Sequence, residues 1–276
     1  MKLNQFDIKL SELGKKSQYF DKYKPNLLFA IPRKPKREKL LSDSQMQFYG
    51  IDIWNAYELY WINPRGVPQV RIAEIIYDAN SEFMIESKSL KLYLNSFNNT
   101  KFKDSEEVRQ TIISDLSNAL NTQIDCNLYS AEEECYAVKK HSGILLDNLD
   151  ITFDGSKKNE IVIQEPKKII EETLYTNLLK SNCLVTGQPD FGSLFINYIG
   201  NQIDHESILQ YIISLRHHNE FHEQCVERIF FEIYKNCSPL YLQIHARYTR
   251  RGGIDINPIR ASSAKFTRNN YRSIRQ

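Results

Sequence analysis

The sequence predicts an α+β protein in which each antiparallel sheet carries a pair of helices on one face. Two observations predict this class, and a third excludes its main competitors. The order strand, strand, helix, helix, strand runs through the first half of the chain and again through the second, without a residue-level repeat. Strands and helices both come in pairs, whereas a parallel sheet alternates single strands with single helices. No G-x-G-x-x-G follows a strand and no G-x-x-x-x-G-K-S/T occurs, so neither a Rossmann nor a P-loop domain is indicated.

Each element follows from local pattern. Residues 1–45 read as an irregular arm, because Pro25, Pro32 and Pro35 break regular structure. Within the arm, Arg33-Lys34-Pro35-Lys36-Arg37 is either a solvated basic run or a phosphate-binding patch. Ordered structure starts near Phe48. Residues 52–61 and 69–77 are rich in aromatic and β-branched side chains, and Asn63-Pro64-Arg65-Gly66 between them signals a turn, so a hairpin is expected. Residues 86–97 place Leu90, Leu94 and Phe97 at helical spacing. A second helix starts at Asp104, with Glu107 completing a capping box and Val108, Ile112, Leu116 and Leu120 forming its apolar face. Residues 124–129 read as a strand.

The polar stretch 131–168 reads as a connector with an extra hairpin at its short apolar runs, 151–153 and 161–163. Strands are expected at 174–179 and 194–199, around a loop containing Gly187, Pro189 and Gly192. One helix begins at Asp204 and another near Asn219. Along 240–248, Leu240, Leu242, Ile244, Ala246 and Tyr248 alternate with Gln243, His245 and Arg247, the pattern of a half-buried strand. The expected organisation is an arm at 1–45, a module at 46–135, a connector at 136–168 and a second module at 169–276.

Composition narrows the function classes. The 276 residues are 41% hydrophobic and 12% aromatic, enough for a sizeable core. Thirty-six Lys and Arg against 34 Asp and Glu give a net charge of +2, which excludes a histone-like or acidic-tail protein. No apolar run approaches the ~20 residues that span a bilayer. The N-terminus lacks the apolar core of a secretory signal. Five cysteines at irregular spacing without C-x-x-C argue against a disulfide framework, and a reducing cytoplasm is the expected home.

Four segments carry candidate chemistry. Cys183, in Lys180-Ser-Asn-Cys-Leu-Val-Thr-Gly-Gln-Pro-Asp190, sits where a strand gives way to a Gly/Pro loop, and Asp190 can return across the turn. It reads as an activated nucleophile or as a buried inert thiol. In 216–225, His222 and Glu223 fall in the first turn of a helix, where backbone N–H groups lack partners. The segment suits acid–base work, a metal held by His218, His222 and Cys225, or a plain polar junction. Glu86-Ser87-Lys88-Ser89 opens a helix whose amides and side chains could hold a phosphate, although lysines on a surface helix are common. Arg250-Arg251-Gly252-Gly253 could clamp an anion against close backbone, or be a basic turn. Beyond it, Arg260, Lys265, Arg268, Arg272 and Arg275 form a basic tail that gives nucleic-acid binding its only support.

Taken together, the four segments resemble the NADPH-dependent 7-cyano-7-deazaguanine reductases, the nitrile reductases of queuosine biosynthesis. Glu86-Ser-Lys-Ser-Leu-Lys-Leu-Tyr resembles the family signature and Ser-Asn-Cys183-Leu-Val-Thr-Gly-Gln-Pro-Asp190 its nucleophile segment. His217-His-Asn-Glu-Phe-His222-Glu223 and Tyr248-Thr-Arg-Arg-Gly-Gly253 match two further blocks, and the resemblance runs from about Phe48 to the end of the sequence.

The resemblance implies two tunnelling-fold modules in the long form of the family, with ligand sites between modules and a homodimeric assembly. It implies that Cys183 adds to the nitrile, that Asp190 donates a proton, and that His222 is a second proton donor. Ile85, Glu86, Ser87, His222 and Glu223 would bind the deazapurine. Ser87, Lys88, Arg251 and Gly252 would hold the NADPH phosphates. No metal is implied, and neither a nucleic acid nor a membrane partner is expected. The alternative is a zinc-dependent pterin or purine enzyme of the same fold, and a noncatalytic tRNA-binding module is a third possibility.

Overall fold

The computed structural model describes residues 19–40, 47–133, 137–155 and 160–276. Expectations for residues 1–18 and 41–45 of the arm, residue 46 at the start of the first module, and Cys135 lie outside the described residues. The structure is mixed α/β, with mainly antiparallel sheets and few helices. No helix among the described residues is long and apolar enough to cross a membrane. The chain divides into two compact units: Met1–Lys39, Ile53–Cys135 and Arg250–Asp255 in the first, and Leu40–Asp52, Tyr136–Thr249 and Ile256–Gln276 in the second.

In the first unit the arm is more regular than its prolines suggest. Pro25 opens a 3-10 turn and Pro32 closes a short strand, β1 (Ala30–Pro32). Pro35 sits in the first turn of α1 (Lys34–Leu40), where a missing N–H costs nothing. The expected hairpin is β2 (Tyr49–Ile62) and β3 (Pro68–Asp78). Its turn closes through Asn63, whose Oδ1 accepts from Arg65 N and Val67 N at 3.0 Å each. Gly66 takes φ +85°, which suits glycine there.

A short strand, β4 (Phe83–Ile85), pairs antiparallel with β1 and leads into α2 (Ser87–Asn95). The second helix, α3 (Ser105–Leu120), is capped by Asp104, and all four expected apolar residues are fully buried. Glu107 reaches back to Lys103 N (2.5 Å), a variant of the expected box. Strand β5 (Ile124–Tyr129) pairs with β3.

The second unit is organised by a long hairpin. Among the described residues the extra hairpin expected in the connector does not form, since 151–153 is not a strand. Instead β6 (Ile144–Leu145) pairs in parallel with β7 (Ile163–Asn182), which in turn pairs with β8 (Pro189–Ile203). These two strands far exceed the expected 174–179 and 194–199. Most residues of 164–170 are exposed, and a solvated ribbon needs no apolar alternation. A register shift between Thr176 and Leu179 is pinned by Asp147, which accepts from Thr176 Oγ1 (2.6 Å) and Asn177 N (3.0 Å).

Helix α4 (His205–Ser214) is capped by Asp204 as expected. A 3-10 turn and extended residues follow, so α5 (His222–Cys237) starts three residues later than the expected Asn219. Strand β9 (Tyr241–Tyr248) is buried on both faces rather than one. Leu242, Ile244 and Ala246 are fully buried, and α5 packs against this strand. The polar face is covered by the chain's own later residues: Gln243 Nε2 donates to Thr267 O, and Arg247 donates to Asn269 O and Gln276 Oε1.

The sequence reading placed no strand at β10 (Ile254–Ala261), which carries Pro258 within it. Arg260 therefore does not belong to a basic tail. It is fully buried on β10, where its guanidinium holds Asp52 Oδ1 at 2.7 Å and Glu227 Oε1 at 2.8 Å.

Candidate active site

The second unit brings Cys183, Asp190 and His222 into one neighbourhood. Strand β7 ends at Asn182, so Cys183 is the first residue of the hairpin loop, and Ser181 stands opposite Asp190 in the ladder. The loop is closed by Cys183 N donating to Gln188 O (2.8 Å) and Gly187 N donating to Cys183 O (3.0 Å), with Gly187 at φ +67°. Cys183 is 7% exposed and Asp190 3%.

The junction before α5 is stitched to the same strand end. Asn182 N donates to His218 O (2.8 Å), and Glu220 N donates to Asn182 O (3.0 Å). Glu220 is held by an ion pair with Arg228. The first turn of α5 then presents His222, whose Nε2 lies 3.8 Å from Asp190 Oδ1. Glu223, beside it, is buried. The imidazole also meets the Tyr248 ring, edge-on at 4.0 Å between centroids. Burial, with the Cys225 thiol and Asp190 nearby, holds the Tyr248 phenol well above the ordinary range, so it stays protonated.

Other described cysteines behave as core. Burial pushes Cys126 up to about 12 and Cys225 and Cys237 up to about 11, so all three remain thiols at neutral pH. The metal alternative needed His218, His222 and Cys225 to face one ion. His218 is exposed, Cys225 is fully buried, and no such group of three ligands is assembled among the described residues.

The first unit gathers the remaining residues. Ile85 ends β4, and Glu86 is the N-cap of α2, with Ser87 and Lys88 in its first turn. The amides there are not open to a phosphate in the way the sequence suggested. Glu86 Oε1 accepts from Lys88 N (2.7 Å) and Oε2 from Ser89 N (2.8 Å). Burial raises the Glu86 carboxyl above its usual 4.5, opposed by these backbone bonds. Each oxygen keeps further acceptor capacity.

Arg251 and Gly252 lie in a tight turn closed between Arg251 and Ile254. Gly252 has φ +59°, and a Cβ there would fall 2.5 Å from Lys91 Nζ, so the turn rests against α2. Arg250 stacks over Tyr57 at 3.6 Å, and its Nε and Nη2 are buried without a hydrogen-bond partner. A positive cradle with unspent Arg250 donors suits an anionic group such as a dinucleotide phosphate.

The sequence reading took Arg250 and Arg251 together as a clamp, chose Arg251 for the phosphates, and gave no role to Lys91, Glu220 or Tyr248. These residues stood inside the quoted or adjoining motifs, but only packing shows Arg250 lying over Tyr57.

Comparisons with known proteins bear on both units. A family profile described as "Nitrile reductase, 7-cyano-7-deazaguanine-reductase N-term" matches residues 19–128, and one described as "QueF-like protein" matches residues 189–266. A Legionella pneumophila (strain Lens) protein called NADPH-dependent 7-cyano-7-deazaguanine reductase is 50% identical over 272 residues, 96% of this chain and 95% of its own. Proteins of the same name from Coxiella burnetii (strain Dugway 5J108-111) and Delftia acidovorans (strain DSM 14801 / SPH-1) are each 48% identical. They too cover 96% of this chain, and 96% and 98% of their own lengths.

Proposed function

The chain belongs to the NADPH-dependent 7-cyano-7-deazaguanine reductases, and from that membership we propose how its residues turn a nitrile into a primary amine. The reaction converts 7-cyano-7-deazaguanine to 7-aminomethyl-7-deazaguanine in tRNA queuosine biosynthesis. Overall it consumes two hydrides, which NADPH supplies when bound, and two protons.

A nitrile carbon is electrophilic but a poor direct hydride acceptor. Cys183 thiolate forms a C–S bond to it, C≡N becomes C=N, and Asp190 protonates the nitrogen to give a covalent thioimide. After the first reduction the C–S bond breaks, leaving an imine and returning the thiolate. His222 provides the proton for the amine nitrogen in the second reduction. Glu86 and Glu223 accept hydrogen bonds from the ring N–H and exocyclic amine of the base, with Ile85 and Ser87 flanking it. Ser87, Lys88, Arg251 and Gly252 hold the NADPH phosphates, and the unpartnered Arg250 nitrogens are suited to join them.

The observation that carries this reading is the His222–Asp190 approach of 3.8 Å beside the strand end that bears Cys183. It is tested by intact mass spectrometry after incubation with 7-cyano-7-deazaguanine and no NADPH. The native chain gains one ligand mass and Cys183→Ala gains none. An adduct on that variant, or none on the native chain, overturns the role of Cys183.

The repeated element order supports two tunnelling-fold modules, at 46–135 and 169–276, with the arm at 1–45 and the connector at 136–168. The same membership supports a cytoplasmic homodimer acting on the free base rather than on nucleic acid.

A further inference from the structure

A cleft of about 510 Å³ opens across β7, β8 and β9 in the second unit. That is the size class of pockets that hold small organic ligands. Side chains alternate along a strand. Tyr241, Gln243 and His245 of β9 line the cleft, so Leu242, Ile244, Ala246 and Tyr248 point to the other face. Tyr248 is the residue that contacts His222, which puts the cleft across the sheet from the proposed proton donors.

Three features of the cleft are unspent. His245 is 5% exposed, lines the cleft, and has its Nε2 buried without a hydrogen-bond partner. Lys139 and Lys140 stand exposed at the edge, and among the described residues no ion pair holds either of them. Glu171 is an exposed carboxylate in the same lining, also without an ion pair among the described residues. Aromatic surface is present too. Phe195 is packed by His141 at 4.7 Å and stacked with Tyr175 at 6.0 Å, and Tyr271 lines the same wall.

These groups ask for a ligand with two different ends. Two ammonium groups favour an anion such as a phosphate. A carboxylate in the same cleft repels an anion and needs a neighbouring pair of N–H donors. Guanine presents adjacent N1–H and N2–H donors on one edge, and its flat ring suits aromatic walls. We infer that this cleft, where His245, Glu171 and the Lys139–Lys140 pair meet around an aromatic wall, is a second ligand site that takes a guanine mononucleotide. Burial, with Arg247 and then His141 nearby, holds the His245 imidazole far below its usual value, so it acts there as a neutral hydrogen-bonding ring.

Isothermal titration calorimetry of the full chain with GMP tests the inference, with AMP and inorganic phosphate as the comparison probes. One GMP binds per chain, more tightly than AMP or phosphate, and still binds when either NADPH or 7-cyano-7-deazaguanine alone is saturating. Lys139→Ala with Lys140→Ala weakens it about tenfold or more, and Glu171→Gln removes the preference over AMP. These positions are exposed, so the variants fold. Absence of GMP binding, displacement by NADPH or by the nitrile, or unchanged affinity in both variants overturns the site. Equal affinity for AMP or for phosphate overturns its guanine assignment.

Discussion

The imidazole of His222 stands edge-on to the Tyr248 ring, 4.0 Å between centroids at 84°, while its Nε2 lies 3.8 Å from Asp190 Oδ1. An aromatic ring and a carboxylate both bear on the imidazole's orientation. Removing the aromatic ring should therefore cost both stability and catalysis. Tyr248→Ala is expected to destabilise the fold by about 3–5 kcal/mol, the usual range for deleting a buried ring. Its kcat should fall more than its KM changes. Tyr248→Phe keeps the ring and should keep most of the turnover. Urea unfolding and steady-state kinetics on both variants check this.

Asp190→Asn preserves shape and removes the proton. Turnover should drop by about 10²–10⁴-fold, the usual contribution of a positioned acid, while binding of the nitrile is retained. Fluorescence titration alongside NADPH-consumption assays separates the two. Near-normal turnover would assign the proton elsewhere.

Glu86 gives a pH signature. Burial raises its folded carboxyl above 4.5, so between 4.5 and the raised value the folded state holds more proton than the unfolded state. The contribution is therefore fully present below 4.5 and is lost as pH rises through the folded value. Melting temperatures of the native chain and Glu86→Gln should diverge across that window. The native chain loses stability relative to the variant as pH rises. Parallel curves would mean that the backbone bonds from Lys88 and Ser89 offset the burial.

Arg260 compensates two carboxylates in a site with no water access. Arg260→Met leaves Asp52 and Glu227 buried without their cation, at a cost of about 3–5 kcal/mol. Adding Asp52→Asn and Glu227→Gln should recover part of that loss in chemical denaturation.

Much of this was legible in the sequence where a residue's role is local. Val108, Ile112, Leu116 and Leu120 announce α3 because helical spacing and one buried face suffice. Asn63 to Gly66 announce the turn because their conformations do. What escaped depends on distant chain. Gln243, His245 and Arg247 look solvent-facing by alternation, yet residues 267–276 cover much of this face and hold Gln243 and Arg247 by hydrogen bonds. Pro35 and Pro258 look like breakers, but a first helical turn and a particular strand position tolerate them. For the proposed site, the motifs named Cys183, Asp190, His222 and Glu86, while the double duty of Glu86 as helix cap and the placement of Arg250 over Tyr57 needed coordinates.

The loop around Cys183 is fastened on every side: its N–H to Gln188, its carbonyl to Gly187, and the preceding residue to His218 and Glu220. A thiol mounted this way cannot travel on a swinging lid. Its only freedom is rotation about the Cα–Cβ bond, three staggered stops in all. Bond formation then waits on how the heterocycle lands rather than on protein rearrangement at the sulfur. Substituents that tilt the ring should slow adduct formation far more than solvent viscosity does.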